Sequence, residues 1–342
     1  MRWNRVLNLL PPLALLGALI AVGGADDAKP SDDKTAIPLP GPVTRGVVRG
    51  DHFYAVADGR LVDVDLMRRK AKTFDEPDAK LTPYLDVSDG KACVASDGRL
   101  YLIDRAAAKT VRSADFHGDV RGLGFIDADR VFVFDGVSIA VVDLAAGKTV
   151  QTIEVAKIDP DGKRRVRTVN GGLTAFQRVG TRLYVVDASQ AYDSRLSVID
   201  LDGGKILDQI GLSFWCGGVQ VFGDKAFVRG VNLSYGINSP QFACIDLKTK
   251  KAASLKLGDL KERVPDDALD QQTLFAAPED GVCLGWSGLI LQYDAQGRQV
   301  GQTPLAKDDA GRLVAVWNGQ ALTAGKDALR LTPLVKGTAK GD

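Results

Sequence analysis

Val141-Val142-Asp143-Leu144-Ala145-Ala146-Gly147-Lys148-Thr149-Val150 is one copy of a phrase that recurs along this chain. The apolar residues ending in Asp-Leu read as the close of a strand, Ala145-Ala146-Gly147 as a turn, and Lys148-Thr149-Val150 as the start of the next strand. The strand-end aspartate returns at Asp65, Asp104, Asp143, Asp200, Asp246 and Asp294, and Thr332 holds the slot in a degenerate last copy. The steps between these positions are 39, 39, 57, 46, 48 and 38 residues. Seven copies of a β-only unit at this period predict an all-β, seven-bladed β-propeller, because a four-stranded blade takes roughly 40–45 residues.

Upstream of each phrase, alternation places an innermost strand A. The seven read Val43–Val48, Tyr84–Val87, Val120–Phe125, Leu173–Arg178, Val219–Phe222, Leu274–Ala277 and Leu313–Trp317. Tight turns such as Asp89-Gly90 and Asn318-Gly319 follow them, and such pairs suit hairpins because the turn needs positive φ. The last blade ends soon after its strand C, near Leu334. Thr35-Ala36-Ile37-Pro38-Leu39 resembles a strand D, so residues 35–39 are expected to close the ring as the outer strand of the last blade. An edge strand tolerates Pro38, whose missing N–H can face solvent.

Arg2 and Arg5 precede an apolar run from Val6 to Val22, and Gly23-Gly24-Ala25 supplies small residues for cleavage. Residues 1–25 therefore read as a secretory signal peptide, with an uncleaved membrane anchor as the alternative. Residues 26–34 read as a disordered spacer, 35–336 as the propeller and 337–342 as a disordered tail. The expected location is periplasmic or extracellular. Forty-four basic and 43 acidic side chains are interspersed, giving a net charge of +1, which offers nucleic acid no electrostatic footprint.

Arg182-Leu183-Tyr184-Val185-Val186, with Leu196-Ser197-Val198-Ile199-Asp200-Leu201 and Gly204-Lys205, resembles the repeats of YVTN and PQQ-like β-propeller proteins. That resemblance implies the fold. It leaves a range of roles open, from binding scaffolds and assembly factors to some enzymes. The quinoprotein enzymes among these proteins carry a Trp at each blade end, where this chain reads Lys-Thr-Val or Lys-Ile-Leu, so no cofactor is expected.

Three cysteines fall in core slots of the repeat: Cys93 and Cys283 in strand B, and Cys244 in strand C. Cys216 has no such explanation, and its disulfide state stays open. No CxxC pair supports a zinc site. His52 and His117 are the two histidines, and neither stands near a nucleophile motif. The repeated aspartates read as turn caps, accepting backbone N–H groups, rather than as metal ligands.

The functional signal lies in the insertions. In a blade of four antiparallel strands, the D-to-A and B-to-C connections leave one face, and the A-to-B and C-to-D turns leave the other. The extra length falls at residues 157–171, 187–194, 213–217, 230–241 and 258–272, all on the first face and on blades 3 to 6. Long loops on a rigid scaffold concentrate binding residues. The candidate contacts are Arg165, Arg167, Tyr192, Asp193, Trp215, Asn232 and Tyr235, types that anchor interfaces. The expected function is that of an exported, monomeric scaffold that binds a protein or carbohydrate-like ligand. The alternative is a hydrolase or lactonase with an axial divalent cation, which needs acids on the inner strands. Asp86 and Asp119 are the candidates there. A membrane-assembly scaffold is a third possibility, favoured if the N-terminal segment is retained.

Overall fold

The computed structural model describes residues 36–136, 138–155, 175–187, 194–232, 239–255, 257, 273–277, 281–286, 288–305 and 311–335. Residues 35–342 form one compact unit. The segments expected as signal peptide, spacer and tail lie outside the described residues. Twenty-eight strands form seven four-stranded antiparallel sheets, and among the described residues there is no helix.

The inner strands are Gly46–Arg49, Leu81–Ser88, Gly122–Phe125, Phe176–Val179, Trp215–Phe222, Thr273–Ala277 and Arg312–Trp317. In blades 1 to 6 the next three strands follow in chain order toward the rim. In blade 7 the order is Arg312–Trp317, Gln320–Ala324, Ala328–Pro333 and then Ala36–Pro38. Ile37 pairs with Leu329 and is fully buried, and Leu39 N–H donates to Asp327 O at 2.8 Å. The first described strand therefore completes the last blade. The first and last described strands are thus paired in one sheet, which closes the ring.

Period-2 alternation explains where the core sits. Along strand B of blade 3, Val131 and Val133 pack toward blade 2, while Phe132 and Phe134 pack toward blade 4. Every blade is thus apolar on both faces, and each junction between neighbours holds its own cluster. Full burial of one such Phe contributes about 1.5–3 kcal/mol.

The strand-end aspartates cap turns. Asp65 accepts the N–H of Arg68, Asp104 that of Ala107, and Asp143 those of Ala145 and Ala146, each at 2.8 Å. Asp200, Asp246 and Asp294 do the same for Asp202, Thr249 and Gln296. In the A-to-B turn of blade 7, Asn318 and Gly319 take φ of 45° and 69°, the two positive values that a type I′ turn requires.

Three expectations need correction. Trp215 was placed in a 213–217 loop, but strand A of blade 5 begins at Trp215, which pairs with Val231. A bulge between Cys216 and Gly218 absorbs one residue there, so the Gly217-Gly218 pair continues the strand rather than breaking it. Asn232, assigned to a 230–241 loop, pairs with Ser239 at the end of strand B. Asp119 is not on an inner strand, because strand A of blade 3 starts at Gly122.

Candidate functional site

The seven inner strands surround an axial channel with a cavity of about 620 Å³. In each blade strand A is an edge, so its outward backbone groups have no ladder partner and must find others. Polar side chains from the neighbouring blade supply several of them. Gln177 of blade 4 accepts from Val221 N–H of blade 5, and Gln220 donates to Leu274 O of blade 6 at 3.3 Å. Asp86 of blade 2 accepts Phe125 N–H of blade 3 at 2.9 Å and Val87 N–H at 2.8 Å. Arg49 donates to Val87 O at 2.9 Å, and Arg178 donates to Phe125 O at 2.6 Å. These five side chains join blade to blade across the inner ring.

Five arginines stand among the described residues of the channel wall. Arg45, Arg49, Arg178, Arg229 and Arg312 line it, against one carboxylate, Asp86. Burial raises the Asp86 carboxyl above its ordinary range, while the Phe125 and Val87 N–H groups and Arg49 pull it back. With two N–H donors and a guanidinium already on it, Asp86 is a structural acceptor. No cluster of three metal-ligating side chains occurs among the described residues. The described wall therefore does not fit a divalent cation, which takes six to eight oxygens or an octahedral shell.

The arginines sort by height. Strand A runs from the D-to-A face to the A-to-B turn, so Arg49 and Arg178, late in their strands, stand at the A-to-B end. Arg45 immediately precedes strand A of blade 1, and Arg312 opens strand A of blade 7. Arg229 belongs to strand B of blade 5 and pairs with Gly218, in the first half of strand A. It is 5 % exposed, yet it lines the channel. A Cβ on Gly218 would fall 2.6 Å from Arg229 Nε, so the guanidinium lies over the glycine. Arg45 sits 5.1 Å from the centroid of the Tyr84 ring, in a cation–π contact. Burial lowers its pKa from the ordinary arginine value, and Tyr84 partly offsets this. Val47, Val314, Phe275 and Phe176 fill the wall between these charges.

Of the residues picked from the sequence, Arg165, Arg167, Tyr192, Asp193 and Tyr235 lie outside the described residues. Trp215 and Asn232 end strands on the D-to-A face of blade 5. The channel arginines were missed. One signal was available for Arg229: an arginine within the apolar alternation of residues 225–231, preceded in the same blade by Gly217-Gly218.

Several other chemistry-bearing groups among the described residues sit in structural contacts. His52 Nδ1 lies 2.6 Å from Asp63 Oδ1, and its ring stacks on Tyr54. The Tyr54 hydroxyl in turn accepts from Arg105. All four cysteines are buried free thiols, and Cys216 belongs to the core between blades 4 and 5. Burial pushes the Cys283 thiol up to about 12 and raises those of Cys93 and Cys216 as well.

No family model matches the chain, and no curated protein sequence matches it. Its likeness is to solved structures. Kuenenia stuttgartiensis hydrazine synthase superposes with a TM-score of 0.66 at 12% identity, over 88% of this chain and 97% of that one. The β-propeller domain of Cps50 (Swd1) from Myceliophteria thermophila gives 0.60 at 13%, over 86% and 98%. BamB from Moraxella catarrhalis gives 0.54 at 17%, over 84% and 85%. At these identities the likeness is one of fold. The chain is a seven-bladed β-propeller, similar at fold level to the PQQ-like propellers.

Proposed function

We propose that this protein is an exported binding scaffold that recognises a protein or carbohydrate-like ligand through the D-to-A face of blades 3 to 6. One observation carries the reading: connection length is distributed on one side only. Two residues join strand A to strand B in blades 1, 2, 4, 5 and 7. On the other face, strand D of blade 3 ends at Glu154 and strand A of blade 4 starts at Phe176, while blade 5 ends at Ser254 and blade 6 starts at Thr273. Surface connections that merely drifted in length would fall on both faces. Arg165, Arg167, Tyr192, Asp193, Trp215, Asn232 and Tyr235 are the proposed contacts. Residues 1–25 direct export, which places the partner outside the cytoplasm. The single, fully engaged carboxylate of the described channel wall weighs against the hydrolase alternative.

The test is affinity isolation of the mature protein from its own host beside a variant with Arg165, Arg167, Trp215 and Tyr235 changed to Ala. A partner enriched by the wild type and lost from the folded variant supports the scaffold. Equal recovery with both proteins refutes this face as the binding surface.

A further inference from the structure

We infer that the A-to-B end of the axial channel holds a site for a compact tetrahedral oxyanion, a phosphate group above all, with Arg49, Arg105 and Arg178 as its recognition groups. The site lies at the opposite end of the blades from the loop contacts and does not depend on them. Three features converge on it.

The first is enclosure. A second cavity, of about 170 Å³, lies where Arg49, Ser88, Phe125 and Arg178 come together near the ends of strands A in blades 1 to 4. Arg105, the residue after strand C of blade 2, completes its lining. Every residue that lines it is described. The connections at that end, residues 50–51, 89–90, 126–129 and 180–181, are short and described too. Small-molecule sites take roughly 300–1,000 Å³. This cavity is smaller, so it suits a compact head group rather than a whole organic ligand.

The second is charge held in place. Arg105 donates to the hydroxyl of Tyr54 in blade 1 and sits 4.9 Å from the centroid of that ring. Tyr54 is buried in the core between blades 1 and 2, which fixes the position of its hydroxyl. Arg178 donates to Gly180 O at 2.8 Å and to Phe125 O at 2.6 Å. All of these partners are uncharged. Arg49 donates to Val87 O at 2.9 Å and stands 3.4 Å from Asp86 Oδ1. The carboxylates at the cavity are Asp86 and the exposed Asp89. Asp86 is shared among Val87 N–H, Phe125 N–H and Arg49, and it meets Arg178 as a through-space charge. Three guanidinium groups thus face two carboxylates, and among the described residues Arg49 alone is ion-paired with either. Cationic side chains in such a cleft raise the local concentration of anions.

The third is donors left over. A guanidinium carries five N–H groups in a planar fork. The contacts above occupy Nε and Nη2 of Arg49, Nε and Nη1 of Arg178, and Nη1 of Arg105. Arg105 Nε is buried with no hydrogen-bond partner among the described residues. Native proteins leave few such groups. The three arginines come from blades 1, 2 and 4, and so approach the cavity from separate directions. A tetrahedral phosphate offers oxygens in several directions, whereas a carboxylate offers two in one plane. Because the guanidinium groups are already fixed, binding an anion requires little further ordering.

The experiment is isothermal titration of the mature protein with inorganic phosphate, phenyl phosphate and acetate. Phosphate should bind saturably, and acetate about tenfold or more weakly. Tighter binding of phenyl phosphate would assign the site to an ester-linked phosphate, and tighter binding of inorganic phosphate to the free anion. R105Q and R178Q should each weaken phosphate binding about tenfold or more, the loss expected for one charge-assisted contact. Y54F, which takes the hydroxyl from Arg105, should weaken it less. D89N removes a negative neighbour and should tighten it. R99Q, at the other end of blade 2, should bind like the wild type. If R178Q fails to fold, R178K keeps the charge but loses the fork, and should still weaken binding. No saturable binding of either phosphate at millimolar concentration overturns the proposal. So does acetate binding as tightly as phosphate, or phosphate affinity unchanged in R105Q and the folded Arg178 variant.

Discussion

Arg229 lies across Gly218, its register partner, so closely that a single added carbon on the glycine would meet Arg229 Nε at 2.6 Å and Cγ at 2.7 Å. The second strand of blade 5 thereby places a charge in a channel that the first strand would otherwise wall off. Gly218→Ala must move the Arg229 stem, because both contacts are tighter than van der Waals packing allows. The expected cost is about 1–3 kcal/mol, the range for overpacking a filled site. Urea unfolding at neutral pH measures it, and a midpoint equal to wild type would show that the stem relocates freely.

Asp86 stitches blade 2 to blade 3. Asp86→Ala leaves the Phe125 and Val87 N–H groups without their acceptor and removes a partner from Arg49. A buried donor left unsatisfied costs about 1–3 kcal/mol. The loss should appear in the global denaturation midpoint, because both blades belong to one ring.

Acid should weaken the protein through its hydrogen-bonded and ion-paired aspartates. Hydrogen bonds from Lys225 and Thr249 N–H hold Asp246 well below the usual carboxylate range, and Lys250 lowers Asp208. A depressed folded-state pKa means that the stabilisation is complete above the unfolded value of about 3.9 and is lost as pH falls below it. Thermal melts from pH 6 down toward pH 2 should show Tm falling, and Asp246→Asn should flatten that fall. An unchanged slope in the variant would exclude Asp246 as a contributor.

The cysteines should be silent until the protein unfolds. All four are buried, and burial disfavours the thiolate that reacts. Iodoacetamide should label none of them in the native state and all four in denaturant, as read by intact mass. Native labelling of Cys216 would contradict its place in the core between blades 4 and 5.

Ring closure rests on Ile37. Ile37→Ala removes a fully buried side chain from the junction of blades 7 and 1 and should cost about 2–5 kcal/mol. Unfolding should remain a single transition at a lower midpoint. An unaltered midpoint would mean that the closing strand contributes little.

Most of the fold was legible because its signals are local. The strand-end aspartates cap turns within three or four residues of themselves, and the alternation of residues such as Val131 and Phe132 declares both faces of a blade. Closure by Ile37 was legible because the missing last strand of the repeat had a match at the other end of the chain. Trp215 and Asn232 were misplaced because a bulge at Gly217-Gly218 looks like a loop when its pairing partner is unknown. The channel arginines were hidden for a different reason. Arg45, Arg229 and Arg312 sit in blades 1, 5 and 7, and only ring closure brings them to one channel.

Native mass spectrometry with metal analysis, on the mature protein purified from its own host, tests the central claim most directly. The binding-scaffold account predicts a metal-free protein carrying a non-covalent partner. That partner should be lost when Arg165, Arg167, Trp215 and Tyr235 are changed to Ala. A stoichiometric divalent cation, together with ester or lactone hydrolysis that disappears when the cation is removed, would contradict it.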